Sequence, residues 1–256
     1  MTSNAFLTAA AKLSLLGLVA IMAGCAAEQG SEDPAEDTNA TESEIVGGSL
    51  TSSYAAVGAL TTSTGFPFCT GTVIAPRVVV TAAHCLAEPG TSASGIRFAL
   101  GPDANNPSSV LRVKRIAYHP QYDEQQIKND IGVVILSADA PVAPVPANTS
   151  MTSSWVGKSL TFVGYGVTNG STQTGAGRKR VVSIPISQVG ATQFAYQTRG
   201  KNTCNGDSGG PAFATDASGN LTVVGVTSYG DASCTSYGVD TRVDAFKSFI
   251  ASVPTN

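Results

Sequence analysis

Cys204-Asn205-Gly206-Asp207-Ser208-Gly209-Gly210-Pro211 sets one serine among glycines, with an acid just before it and a cysteine four residues earlier. A glycine-flanked serine in a turn is common, so its meaning depends on what the rest of the chain offers. Two upstream segments offer chemistry. Thr81-Ala82-Ala83-His84-Cys85 places a histidine directly after a β-branched run, and Asn129-Asp130-Ile131-Gly132-Val133-Val134 places an acid at the mouth of an apolar strand. Each has an ordinary reading alone: a structural or exposed histidine, and a solvated strand-end acid. Only one other histidine exists, His119 in Tyr118-His119-Pro120-Gln121-Tyr122, and it is read as structural.

Gly206-Asp207-Ser208-Gly209-Gly210 formally fits the G-x-S-x-G elbow of α/β-hydrolases, whose triad runs serine, acid, histidine along the chain. No histidine follows Ser208. The order is instead His84, Asp130, Ser208, which is the other triad order, that of the chymotrypsin type. With Ile45-Val46-Gly47-Gly48, Gly164-Tyr165-Gly166 and Ser228-Tyr229-Gly230 at family-like spacing, residues 45–256 resemble a trypsin/chymotrypsin-family serine protease.

That resemblance implies an all-β fold of two packed six-stranded antiparallel barrels with the active site between them. Ser208 would be the nucleophile, His84 its base and Asp130 the group orienting His84, while the amides of Gly206 and Ser208 would form the oxyanion hole. Ser228 would hydrogen-bond Asp130, and the backbone of residues 228–230 would pair with extended substrate. The primary specificity pocket falls on Asn202, Ser228, Gly230, Gly238 and Asp240. Asn202 stands where trypsin-like members carry an aspartate, and Asp240 where relatives commonly carry a tyrosine. An inward Asp240 would admit Arg or Lys, and an Asp240 held by backbone or Arg242 would leave uncharged preferences; Gly230 and Gly238 suggest an open, deep pocket. Activation would follow a cut before Ile45, whose new ammonium group would pair with Asp207. Glu44 before that cut argues against trypsin-like self-activation and implies a separate activating protease. The family's calcium loop would fall at residues 100–105, but the expected glutamates are absent and Pro102 occupies one place, so no metal or other cofactor is expected.

Composition agrees with this class. Among 256 residues, 27 Gly and 13 Pro exceed what long helices tolerate, while Val, Thr and Ser are abundant. Strand-like runs appear at residues 71–74, 77–81, 131–136 and 221–226, and the Pro-rich residues 141–146 form a candidate connector between two halves. Val243, Phe246, Phe249 and Ile250 recur at helical spacing and predict a short closing helix. Residues 26–44 hold seven carboxylates and no Lys or Arg, so the −3 of the whole chain becomes +3 over residues 45–256. So weak and scattered a charge excludes nucleic acid as the expected partner.

The N-terminus reads as targeting. Lys12 precedes the apolar residues 13–24, too short to span a bilayer and suited to a signal peptide. Met22-Ala23-Gly24-Cys25 resembles a lipobox, in which Cys25 is lipidated; the alternative is ordinary cleavage near Ala27. The expected organisation is a signal peptide over 1–24, an acidic disordered linker or propeptide over 25–44, and a protease domain over 45–256. The product would be exported, as an outer-membrane lipoprotein or secreted, with membrane anchoring through the Cys25 lipid before activation. With Cys25 set aside, Cys69, Cys85, Cys204 and Cys234 allow three pairings. Spacing does not choose among them; Cys69–Cys85 with Cys204–Cys234 gives two local loops. The expected partners are protein or peptide substrates, acted on by a monomer. A catalytically inert binding module on the same fold is the competing reading, but neither the triad nor the oxyanion segment is broken.

Overall fold

The computed structural model describes residues 45–147 and 150–255. The expected signal peptide, Cys25 and the acidic linker lie outside them. Within them the β-branched runs become strands: β1 (Ser49–Leu50), β2 (Val57–Thr62), β3 (Pro67–Ala75), β4 (Val78–Thr81), β5 (Ile96–Leu100), β6 (Ser109–Tyr118) and β7 (Gly132–Leu136). Beyond the Pro-rich connector come β8 (Ser159–Gly164), β9 (Arg180–Val189), β10 (Gln193–Tyr196), β11 (Pro211–Thr215), β12 (Leu221–Gly230) and β13 (Gly238–Arg242).

Antiparallel pairing closes β2-β3-β4-β7-β6-β5 into one barrel. In the second half β8 pairs with both β9 and β11, which closes β8, β9, β10, β13, β12 and β11 into another; β1 adds to β9. The fold is therefore the expected pair of six-stranded barrels.

Every residue of β4 and β7 is buried, which explains why both read as continuous apolar runs rather than alternating ones. Val78, Val133 and Ile135 form a cluster with Phe249, Ile250 and Val253 of the C-terminal segment, so both faces of these strands are covered. That segment is a single turn over Asp244–Phe246 and then a helix over Lys247–Ser252, as the spacing predicts. His119 stacks edge-on against Phe246 and Phe249 at 5.2 Å, and burial lowers its pKa. Its setting is a packing role.

Among the described residues the disulfides are Cys69–Cys85 and Cys204–Cys234. Within residues 188–199, β10 is hydrogen-bonded to β9 on one side and β13 on the other. Sheet pairing supplies the order there. No helix among the described residues is long and apolar enough to cross a membrane.

Candidate active site

Strand pairing brings the histidine to the acid. In the β4–β7 ladder Thr81 stands opposite Gly132, so the residues just past the end of β4 and just before the start of β7 share one end of the barrel. His84 opens a short helix there (α1, His84–Ala87), and Asp130 immediately precedes β7. His84 Nδ1 lies 2.8 Å from Asp130 Oδ2, and the His84 amide donates to Oδ1 at 2.9 Å. A carboxylate only accepts, so Nδ1 carries the proton and Nε2 is left as the basic nitrogen. Ser228 Oγ donates to Asp130 Oδ2 at 2.6 Å. Burial of Asp130, which is 0% exposed, pushes its carboxyl upward, but the hydrogen bonds and charge of His84 and the Ser228 bond outweigh this and hold it below the usual range.

The serine comes from the second barrel. Ser208 and His84 line the same two clefts, one of about 620 Å³ and one of about 340 Å³. Around Ser208 nearly every peptide group is engaged: the Asp207 amide donates to Cys204 O, Gly209 to Thr227 O and Gly210 to Asp207 O, at 2.8–2.9 Å. Among the described residues the amides of Gly206 and Ser208 have no protein acceptor. These are the two donors an oxyanion would need. Gly206 adopts φ +95°, and a side chain at Gly209 (φ +81°) would collide with Thr81 Oγ1 and Thr70 O.

Thr70 of β3 and Thr81 of β4 buttress this loop from the first barrel. The Thr70 amide donates to Ser208 O and its hydroxyl to Gly206 O, both at 2.8 Å, and Thr81 Oγ1 donates to Thr70 O at 2.8 Å. Both threonines are 0% exposed.

Asp207 lies beneath the loop, 1% exposed. Its carboxylate accepts from the Gly166 amide at 2.8 Å and the Cys204 amide at 2.9 Å. A side chain at Gly164 or Gly166 would strike that carboxylate, which accounts for the Gly164-Tyr165-Gly166 motif. Burial pushes the Asp207 pKa up to about 6 against the pull of the two amides and of Arg180. Ile45 is fully buried in the core of the second barrel, and the Asn202 amide donates to Val46 O at 3.0 Å.

The residues expected at the specificity pocket are not all brought to the open cleft. Of these, Ser228 and Gly230 line it beside Ser208, together with Thr203, whereas Asn202, Gly238 and Asp240 do not. Asn202 is 1% exposed; its amide donates to Tyr237 O at 2.9 Å and its carbonyl accepts from the Thr203 amide at 3.0 Å. Asp240 is 0% exposed and faces Tyr196 and Thr227, with neither oxygen in full hydrogen-bond geometry; burial drives its carboxyl well above the usual range. Arg242, the expected alternative partner, pairs instead with Asp244 at 2.7 Å. Asp240 is thus buried beside Phe194 in the β10–β13 ladder and does not line the cleft. The residue missed was Tyr196, whose ring lies so close to Gly238 that any side chain there would strike it, and whose hydroxyl lies 2.7 Å from Thr203 Oγ1.

Cys69, His84 and Cys85 also approach within metal-ligand range, but both sulfurs are in a disulfide and are not available as thiolates.

Two closed antiparallel barrels, with a histidine held by a buried carboxylate in one and a glycine-bounded serine in the other, the histidine and serine lining shared clefts, define the two-barrel serine protease class. The trypsin family model matches residues 45–250. A trypsin of Saccharopolyspora erythraea is 30% identical over 189 residues, covering 68% of this chain and 80% of that protein. Trypsin-1 of Salmo salar is 30% identical over 234 residues (83% and 92%), and a chymotrypsin of Phaedon cochleariae 30% over 203 residues (71% and 70%). The chain belongs to the trypsin family.

Proposed function

We propose that the protein is an exported serine endopeptidase made as a zymogen. The observation that carries this reading is the Ser228–Asp130–His84 hydrogen-bond chain ending in a cleft shared with Ser208. Ser208 Oγ bonds to the peptide carbonyl carbon while its proton passes to His84 Nε2. The carbonyl oxygen, now anionic, is received by the amides of Gly206 and Ser208. Collapse of this intermediate breaks the C–N bond, and the departing amine takes the proton from Nε2. Water then releases the acyl group by the same steps in reverse, and Asp130 stabilises the imidazolium in both halves.

Cleavage before Ile45 would supply an ammonium group for Asp207. The support is that Asp207 is buried and incompletely compensated, its pKa standing at about 6. Glu44 directs this cut to an acid-preferring or trimming protease, and the cut would free the domain from a lipid at Cys25. The primary pocket is read as having an uncharged floor, with Thr203 lining it and the buried Tyr196 hydroxyl bonded to Thr203 behind, and as suited to uncharged residues before the scissile bond. Of the two carboxylates that line the smaller cleft, Asp231 is taken up by the Thr235, Ser236 and Tyr237 amides and Glu124 is exposed, so a buried Arg or Lys would meet no free buried carboxylate there, at a cost of several kcal/mol.

One experiment tests both levels. Protein zymography with and without a covalent serine-directed inhibitor is run on the parent and on Ser208→Ala, followed by peptides varied before the scissile bond. Parent activity that is inhibitor-sensitive and absent from folded Ser208→Ala is expected; cleavage retained by that variant refutes the mechanism. Arg or Lys peptides cleaved as well as Ala or Leu peptides refute the neutral pocket alone.

A further inference from the structure

Thr70 is the residue of the first barrel most deeply engaged with the nucleophile loop of the second. Its amide donates to Ser208 O at 2.8 Å, its hydroxyl donates to Gly206 O at 2.8 Å, and the same hydroxyl accepts from the Tyr165 amide at 3.3 Å. Its carbonyl in turn accepts from Thr81 Oγ1 at 2.8 Å. The Thr70 side chain therefore joins two loops that are 41 residues apart at Gly166 and Asp207, themselves bonded through the Asp207 carboxylate. Tyr165 is anchored as well, its hydroxyl donating to Gly101 O at 2.5 Å.

We propose that the Thr70 hydroxyl is a positioning group for the oxyanion hole. The Gly206 carbonyl belongs to the peptide that follows the Gly206 amide. Fixing that carbonyl on Thr70 Oγ1 limits rotation about Gly206, a glycine at φ +95° with little conformational preference of its own. The neighbouring carbonyl of Ser208 is fixed by the Thr70 amide, which any residue at position 70 supplies. The side chain thus contributes the one clamp that the backbone does not. A donor displaced by a fraction of an ångström weakens the interaction it makes with a developing oxyanion, and such interactions count in the transition state rather than in substrate binding. Thr70 also packs its methyl group on the loop, since a side-chain carbon at Gly210 would lie 3.2 Å from Thr70 Cγ2. Hydroxyl and methyl therefore have separable roles.

This inference rests on the serine endopeptidase reading. The test compares Thr70→Ser, Thr70→Ala and Thr70→Val, each in the form in which the wild-type chain is active. Ser and Ala differ only by the hydroxyl, and Val keeps the size without it. Loss of one whole oxyanion donor costs roughly 100- to 1,000-fold in kcat. Imperfect placement should cost less, and Thr70→Ala and Thr70→Val should lose roughly 10-fold or more in kcat with KM within about twofold. Labelling of Ser208 by a fluorophosphonate, which also builds negative charge on oxygen, should slow in parallel. Thr70→Ser should stay within about threefold of wild type. If Thr70→Val does not fold, the Ser and Ala pair gives the same comparison. Equal kcat for Ala and Ser, or a fall in melting temperature with kcat unchanged, overturns the proposal. A wild-type chain that neither cleaves peptides nor is labelled at Ser208 overturns the endopeptidase reading instead.

Discussion

Ser228→Ala removes one of the three hydrogen bonds that hold the buried Asp130 carboxylate. The bond is short, 2.6 Å, and donates to the same Oδ2 that receives His84 Nδ1. A hydrogen bond to a charged group is worth about 1.5–3 kcal/mol. For a domain of this size each kcal/mol moves Tm by about 2–4 °C, which gives a fall of roughly 3–12 °C. The effect on rate is smaller, because the bond exists before reaction and only its strengthening as His84 becomes charged is lost; about tenfold in kcat/KM is expected, with the two His84 bonds retained. The pH dependence has a definite sign. Asp130 is held below its ordinary value, so its stabilisation is present above the usual carboxylate range and is lost as pH falls through the depressed value. The Tm gap between parent and Ser228→Ala should be widest near neutrality and close on acidification. Thermal melts from pH 7 downward, with peptide hydrolysis at neutral pH, provide the readouts. A gap that widens in acid, or equal Tm and kcat/KM at pH 7, refutes this account of Asp130.

The uncut chain carrying Ser208→Ala should gain stability as pH is lowered from about 6 toward 3.8, because Asp207 has a raised pKa and its folded form binds the proton more tightly than the unfolded one. Adding Asp207→Asn should shrink that rise in Tm to the part that the buried Asp240 contributes, and a rise left unchanged assigns it to another group. Lys179 is 1% exposed, donates to Tyr54 O at 3.1 Å, and is pushed down by burial to about 8 from 10.5. Its unfolded form holds the proton longer, so the parent should gain stability relative to Lys179→Met between those two values; melts in that range that run parallel would refute it.

Much of the fold was legible because local signals and long-range pairing agree. Runs such as residues 131–136 are apolar on both faces, short and rich in β-branched residues, which favours buried strands, and the glycines at 164, 166 and 209 mark places where another chain segment presses on the backbone. The order His84, Asp130, Ser208 was legible for a different reason: few residue types can do this chemistry, and the chain holds only two histidines. What the sequence hid are residues whose role depends on a neighbour many positions away. Thr70 reads as one more β-branched strand residue until Gly206, 136 residues on, is placed against it.

The pocket floor shows the same limit more sharply. At Asp240, where the family resemblance implies a tyrosine, position alone left open whether the charge faces substrate or is held by backbone or Arg242. In the β10–β13 ladder, however, Phe194 pairs with Asp240 and Tyr196 with Gly238, so an aromatic ring from β10 fills the space that the glycine leaves. A phenol hydroxyl still reaches Thr203, but from the adjacent strand. A carboxylate left beneath such rings has no counter-charge, and the cheaper state is the neutral acid. Asp240 and Tyr196 therefore have to be read together, since the ring covers the glycine while the acid beside it stays buried, and neither strand read separately discloses this.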